Sequence, residues 1–152
     1  MIYVKNCTFT LAKFRRDGYG FFSINIESEL KMTVFVATSK RFYGEAQELV
    51  KNLEEAGVKV FHPYFHLDPA KIDADADLKS RVTIQHFPEI EESDIFYAFL
   101  PGGYIGCSVT IELTYAYAKG KKIVVSEAAQ EFAVRAMVSE ICSPRQFIAR
   151  YV

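Results

Sequence analysis

Glu112 is the one carboxylate in a run that is otherwise close to apolar: from Val109 to Ala118 the chain reads Val, Thr, Ile, Glu, Leu, Thr, Tyr, Ala, Tyr, Ala. A carboxylate held partly out of water beside a cleft can serve as a nucleophile or a general base. The run follows Pro101-Gly102-Gly103-Tyr104-Ile105-Gly106-Cys107-Ser108, which itself follows the apolar stretch Ile95 to Leu100. Strand, loop and helix are the expected order, with Gly120 ending the helix and Lys122 to Val125 forming the next strand. Ligands of open parallel sheets bind beyond the carboxyl ends of the strands, where the free amides of a helix start also point. The site is therefore expected at this loop. A purely structural account of Glu112 also exists, because an acidic residue in the first turns of a helix gains about 0.3–1 kcal/mol from the helix dipole. With Ser108 as N-cap, however, the third helical position is Ile111, and Glu112 comes one residue too late to close a capping box.

Other reactive residues sort by position. Cys107 stands at the same helix start, a setting that can lower a thiol pKa. No arginine follows at the spacing of a cysteine-phosphatase loop, and a cysteine also packs as a small apolar residue. Pro101-Gly102-Gly103 lacks both a phosphate-loop lysine and the G-x-G-x-x-G spacing, so tight turning accounts for it. Thr38, Ser39, Arg41, Phe42 and Tyr43 follow the carboxyl end of one strand, and His62, Tyr64 and His66 that of another, so both groups can converge on the loop before Glu112. Asp94 stands at the amino end of its strand, on the opposite edge, and reads as structural.

The elements that must position these residues alternate. Thr33 to Ala37 reads as a first strand, and Glu45 to Ala56 as an amphipathic helix with Ala46, Leu49, Val50 and Leu53 inward and Gly57 at its end. Val58 to Phe61 is a second strand, followed by an acidic loop with Asp73, Asp75 and Asp77 and a helix from Leu78 to Glu92. Beyond Val125 a helix is expected from Gln130 to Ile141 and a last strand from Phe147 to Val152. The fold class is thus α/β, a flavodoxin-like doubly wound parallel sheet of about five strands with helices on both faces. Residues 1–31 differ: Thr8 to Phe14 and Phe21 to Ile26 alternate around Asp17-Gly18, the pattern of a β-hairpin appended to a domain spanning 32–152.

Composition limits the partners. The 152 residues carry a net charge of -1, with neither a basic stripe nor a basic amphipathic helix, so no nucleic-acid or membrane-surface partner is expected. No apolar run approaches the roughly 20 residues needed to span a bilayer, and the N-terminus does not pair a charged region with an apolar one. A soluble, cytoplasmic protein acting on a small molecule is the expectation. Cys7, Cys107 and Cys142 are odd in number and lack metal-ligand spacing, so neither a disulfide framework, a metal site nor any other cofactor is expected.

Thr33-Val-Phe-Val-Ala, Gly57-Val-Lys-Val-Phe-His-Pro, Glu91-Glu-Ser-Asp-Ile and Ile111-Glu-Leu-Thr-Tyr-Ala-Tyr-Ala-Lys-Gly-Lys-Lys-Ile-Val together resemble the nucleoside 2-deoxyribosyltransferase family and its nucleotide N-glycosidase relatives. The resemblance covers residues 32–126. It implies a flavodoxin-like parallel sheet and cleavage or transfer at the N-glycosidic bond of a nucleoside or nucleotide. Glu112 takes the place of the nucleophile that forms a glycosyl-enzyme. Thr38, Ser39, Phe42, Tyr43, His62, Gly103, Tyr104, Gly106 and Ser108 fall in the substrate-binding region. Homodimers or larger homo-oligomers are also implied, with Tyr151 or the terminal carboxylate near a neighbouring site. The chain departs from the family pattern: Gly106 stands where an Asp or Ser is usual, Ser108 where glycine is frequent, Thr114 where a glycine is usual, and His86 where deoxyribose-transferring members carry an aspartate. The general acid is then His86 or an aspartate from 73 to 77. Two alternatives stay open, a non-catalytic nucleotide-binding or sensing domain and a nucleoside monophosphate phosphoribohydrolase, whose glycine-to-glutamate spacing is shorter than Gly103 to Glu112.

Overall fold

The computed structural model describes residues 32–152, and the hairpin expected within residues 1–31 lies outside them. Five strands, β1 (Thr33–Thr38), β2 (Lys59–Phe61), β3 (Ile95–Phe99), β4 (Lys122–Val125) and β5 (Glu140–Ile141), form one sheet in the order β2-β1-β3-β4-β5. Every pairing is parallel. The chain steps from β1 outward to β2 and then crosses to β3 on the other side, so the strand order reverses between β1 and β3, where ligand crevices of such sheets open.

The β1 and β3 sequences are apolar without interruption because both faces of these strands are covered. Val34 and Val36 join Ile95, Tyr97 and Val124 on one face, packing on Leu49, Val50 and Leu53 of α1 (Tyr43–Glu55) and on Phe147 of α6 (Pro144–Tyr151). Phe35 and Ala37 join Phe96, Ala98, Ile123 and Val125 on the other face. That face is covered by α3 (Ala76–Glu92), α4 (Cys107–Ala118) and α5 (Phe132–Arg135), with α2 (Pro69–Ala74) leading into α3. Asp94 ties the amino edge of the sheet: its carboxylate accepts from the Thr33 amide at 2.9 Å, and its own amide donates to the Thr33 carbonyl at 2.8 Å.

Three expectations are corrected. The segment with Asp73, Asp75 and Asp77 forms two helices that meet at the extended Asp75, because aspartates cap helices where a loop was expected. Asp68 accepts from the Ala70 amide at 2.9 Å to start α2, and Asp75 accepts from the Leu78 amide at 2.9 Å to start α3. At the C-terminus, the helix expected from Gln130 to Ile141 is the single turn of α5 followed by β5, and the strand expected at Phe147–Val152 is α6. Ser143 decides the latter through a capping box: the Gln146 side chain accepts from the Ser143 amide at 2.9 Å, and Ser143 Oγ accepts from the Gln146 amide. Pro144 follows at the first helical position, where its missing amide costs nothing. Among the described residues no helix is long and apolar enough to cross a membrane.

Phe147 is fully buried, its ring 4.5 Å from that of Tyr97. Phe147→Ala is expected to destabilise the protein by about 3–5 kcal/mol, read as a lowered urea midpoint. Ala149→Ser, on the exposed side of α6, should shift it by less than about 0.5 kcal/mol.

Candidate functional site

Helices α3 and α4 lie side by side and run in the same direction, so their inner residues meet in register. Thr83 Oγ1 lies 3.2 Å from Ser108 Oγ, His86 Nδ1 lies 2.7 Å from Glu112 Oε1, and the Phe87 ring stacks on Tyr115 at 3.9 Å. Gly106, not Ser108, is the N-cap of α4, and no side chain caps that end. The helix therefore begins at Cys107, which moves Glu112 into the second turn. There the first-turn dipole no longer accounts for it, and the partner of its charge is His86. Both side chains are closed off from solvent, Glu112 at 4% and His86 at 5% exposure.

Burial pushes the Glu112 carboxyl pKa up, the hydrogen bond and charge of His86 pull it back, and Glu89 adds a smaller upward push. An ionised carboxylate only accepts hydrogen bonds, so with Glu112 charged it is Nδ1 of His86 that carries the hydrogen. Its ring is fixed by neighbours on two sides, with Phe35 of β1 edge-on at 5.4 Å and Tyr64 tilted at 4.9 Å. Tyr43 stands within electrostatic reach: burial first, then the charge of Glu112, lift its phenol to about 12. It keeps its proton at neutral pH.

No protein-family model matches the sequence, and no curated protein sequence matches it. Solved structures do. A conserved protein from Enterococcus faecalis V583 superposes with a TM-score of 0.56 at 15% identity, over 78% of this chain and 96% of its own. A 2-deoxyribosyltransferase from the psychrotolerant Bacillus psychrosaccharolyticus superposes with a TM-score of 0.52 at 15% identity, over 79% of this chain and 92% of its own. The fold is nucleoside deoxyribosyltransferase-like.

On this deoxyribosyltransferase-like scaffold the residues singled out in the sequence fall into three places. Glu112 and His86 are the buried pair, half-buried Tyr43 stands within electrostatic reach of Glu112, and the Phe65 ring lies 5.1 Å from Tyr43 and stacks 4.7 Å from His62. Ser39, Phe42, Tyr104 and Gly106 meet where the loops after β1 and β3 converge. A side chain at Gly106 would lie 3.7 Å from Ser39 Oγ, and Phe42 approaches Tyr104 edge-on at 6.1 Å. The Arg41 guanidinium stands 4.3 Å over the Tyr104 ring. The others are held by the fold itself. Thr38 Oγ1 donates to the Phe99 carbonyl at 2.9 Å, and Ser108 meets Thr83. Gly103, at φ 73°, presses so closely on the Ala128 carbonyl that a Cβ would come within 2.3 Å of it, and only glycine fits.

The aspartates are engaged elsewhere. Asp73 pairs with Lys40 and with Lys79, and the hydrogen bond from Lys40 is the main cause holding its carboxyl below the ordinary value. Asp75 caps α3 and Asp77 is exposed. Two concavities lie away from Glu112: a groove of about 410 Å³ between α1 and α6, lined by Glu45, Leu49, Phe99 and Arg145, and one of about 270 Å³ at the β5 edge.

The residue missed in the sequence is Glu89. It stands one turn beyond His86 on α3, and burial is the first cause raising its carboxyl pKa, with His86 and His62 opposing. The signal was available, because Thr83, His86, Glu89 and Ile90 share the i, i+3, i+4 stripe of an inward helix face.

The raised Glu112 pKa fixes the sign of a stability change. Between the ordinary value of 4.5 and the raised one, the folded chain binds more protons than the unfolded chain, so stability falls as pH rises through that window. Glu112→Gln is expected to flatten this fall, measured as urea midpoints against pH. Glu89 has the same sign, so the slope shrinks without vanishing.

Proposed function

We propose that this protein cleaves or transfers at the N-glycosidic bond of a nucleoside or nucleotide, with Glu112 as nucleophile and His86 as its acid–base partner. The observation that carries the reading is the 2.7 Å contact between these two buried side chains beneath the reversal point of a deoxyribosyltransferase-like sheet. In the first step a Glu112 oxygen attacks the anomeric carbon and the bond to the base breaks, giving a glycosyl ester of the enzyme. The departing base takes a proton, which a positioned acid supplies for a gain of roughly 10²–10⁴ in rate. A second base or water then attacks the ester. Tyr43 stays protonated and serves as a hydrogen-bond donor, while Phe42 and Tyr104 offer ring faces to a base or sugar at the loop rim. Because Glu112 is closed off, substrate reaches it only when the aromatic side chains above it move aside.

The enzyme works in the cytoplasm and without a metal or other cofactor in this reading, since carboxylate and imidazole supply all the proton and covalent chemistry. A second copy of the chain is its partner. Ile84 on α3 and Ile111 and Tyr117 on the adjoining α4 remain exposed, apolar side chains that a homodimer contact could cover. Ile111→Glu is expected to shift sedimentation to the monomer mass without lowering the urea midpoint. A non-catalytic nucleotide-binding domain is the second reading, favoured by the low exposure of Glu112.

Incubation with nucleosides and nucleoside monophosphates, with and without a second free base, separates these readings. Base exchange identifies a transferase, release alone a hydrolase, and binding without turnover the sensing domain. Glu112→Ala is expected to abolish turnover, and His86→Asn to lower kcat by roughly 10²–10⁴. Full turnover in Glu112→Ala would remove Glu112 from the reaction.

A further inference from the structure

One of the side-chain pairs that join α3 to α4 consists of two hydroxyls, Thr83 and Ser108, whose oxygens lie 3.2 Å apart. Thr83 is buried, whereas Ser108 is half-buried and open to the site. Both helices start at the carboxyl edge of the sheet and end at its amino edge, so this pair lies one turn nearer the ligand rim than His86 and Glu112. Ser108 stands four residues before Glu112, and both face α3. Residues so spaced are neighbours on a helix surface, with Cβ atoms about 5–6 Å apart. Helical side chains also slant back toward the helix start, which brings the Glu112 carboxylate over the turn that carries Ser108. A sugar carbon bonded to a Glu112 oxygen has its next substituents at the level of Ser108.

The direction of the hydrogen bonds says what Ser108 can receive. A hydroxyl carries one hydrogen and two acceptor lone pairs. The Lys79 carbonyl, 3.0 Å from Thr83 Oγ1, can only accept, and so takes the Thr83 hydrogen. Ser108 then donates its own hydrogen to Thr83, and its lone pairs are left for a donor on the site side. A ligand O–H satisfies them, and a C–H in the same place does not.

We infer that Ser108 accepts a hydrogen bond from the 2′-hydroxyl of the sugar, that Thr83 is the positioning residue that turns it, and that the substrate is a ribonucleoside or ribonucleotide rather than its 2′-deoxy counterpart. The inference rests on the reading of Glu112 as nucleophile and adds the identity of the sugar. The 2′-hydroxyl is borne by the carbon next to the anomeric one. From it the hydrogen bonds run in one direction, through Ser108 and Thr83 to the Lys79 carbonyl, and each polarises the next. As the bond to the base breaks, positive charge develops on the sugar and makes the 2′-hydroxyl a stronger donor. Its bond to Ser108 therefore tightens in the transition state. Loss of one such bond costs about tenfold, and a site built around a substrate hydroxyl can reject the analogue lacking it by roughly 10⁴–10⁵.

The test sets each ribonucleoside and ribonucleoside monophosphate of the panel beside its 2′-deoxy counterpart. The wild type is expected to favour the ribosyl member by about tenfold or more in kcat/KM, chiefly through kcat. That ratio should collapse to within about threefold of unity in Ser108→Ala, fall in Thr83→Val, and persist in Ser108→Thr, which keeps the hydroxyl. A wild type that favours the 2′-deoxy member, or a ratio unchanged in Ser108→Ala, overturns the inference; an unchanged ratio in Thr83→Val removes Thr83 from it. Inactivity of Glu112→Ala together with a ratio indifferent to Ser108 sinks the sugar assignment alone. Full activity of Glu112→Ala with a ratio that depends on Ser108 sinks the nucleophile and leaves the sugar assignment standing. Where nothing is turned over, calorimetry with the same pairs decides: tighter binding of the ribosyl member, lost in Ser108→Ala, supports the inference. Equal binding, or binding of neither, overturns it.

Discussion

A carboxylate enclosed by apolar side chains must find a donor or give up its charge, and in this protein the donor is His86. The penalty for leaving a buried charge unpaired is large enough that breaking such a pair typically costs about 3–5 kcal/mol. Much of the architecture around the pair follows from that requirement. The registers of α3 and α4 are set so that Thr83 meets Ser108, His86 meets Glu112, and Phe87 meets Tyr115. Phe35 reaches up from the sheet to hold the imidazole edge-on, and is itself stacked on Phe96 at 5.5 Å. Core packing and polar pairing are therefore one structure: the aromatic contacts that exclude water also fix the ring that satisfies the carboxylate.

The parallel sheet brings the pair together. Strands buried on both faces need helices on both sides, and the crossovers from β2 to β3 and from β3 to β4 lay α3 and α4 next to each other on one face. The reversal of strand order between β1 and β3 opens the rim above them, where Ser39, Tyr104 and Gly106 converge. A fold that superposes on a 2-deoxyribosyltransferase thus carries its unusual carboxylate beneath the place where sheets of this class receive ligands. The burial that raises the Glu112 pKa costs stability at neutral pH, and it also makes the group responsive to a proton on its neighbour.

Local sequence signals carried the middle of the chain well and its last quarter poorly. Strands β1, β3 and β4 were legible because continuous apolar runs bounded by glycine and polar residues leave little alternative. Helix α4 was legible as a helix but not in its start, since glycine caps it where a serine was expected. The acidic stretch misled because Asp68 and Asp75 look like loop residues until the helices they cap are seen. The C-terminal segment carries aromatic and β-favouring residues, and the capping box at Ser143 outweighed them. Glu89 lay on a readable helix stripe, but nothing in the one-dimensional pattern says that a glutamate there is partly buried.

The sequence by itself determined the parallel α/β class, the loop and helix that bear Glu112, and the isolation of that carboxylate among apolar residues, because periodicity and composition are local properties. Only the tertiary structure decided that Glu112 faces His86, that Asp73 and Asp75 are spent on an ion pair and a helix cap, and that Glu89 lies within electrostatic reach of His86. Which residues meet across two helices depends on their relative register and on what the sheet beneath them pushes outward. Those distances run between residues 26 positions apart in the chain for His86 and Glu112, and no local rule reaches that far.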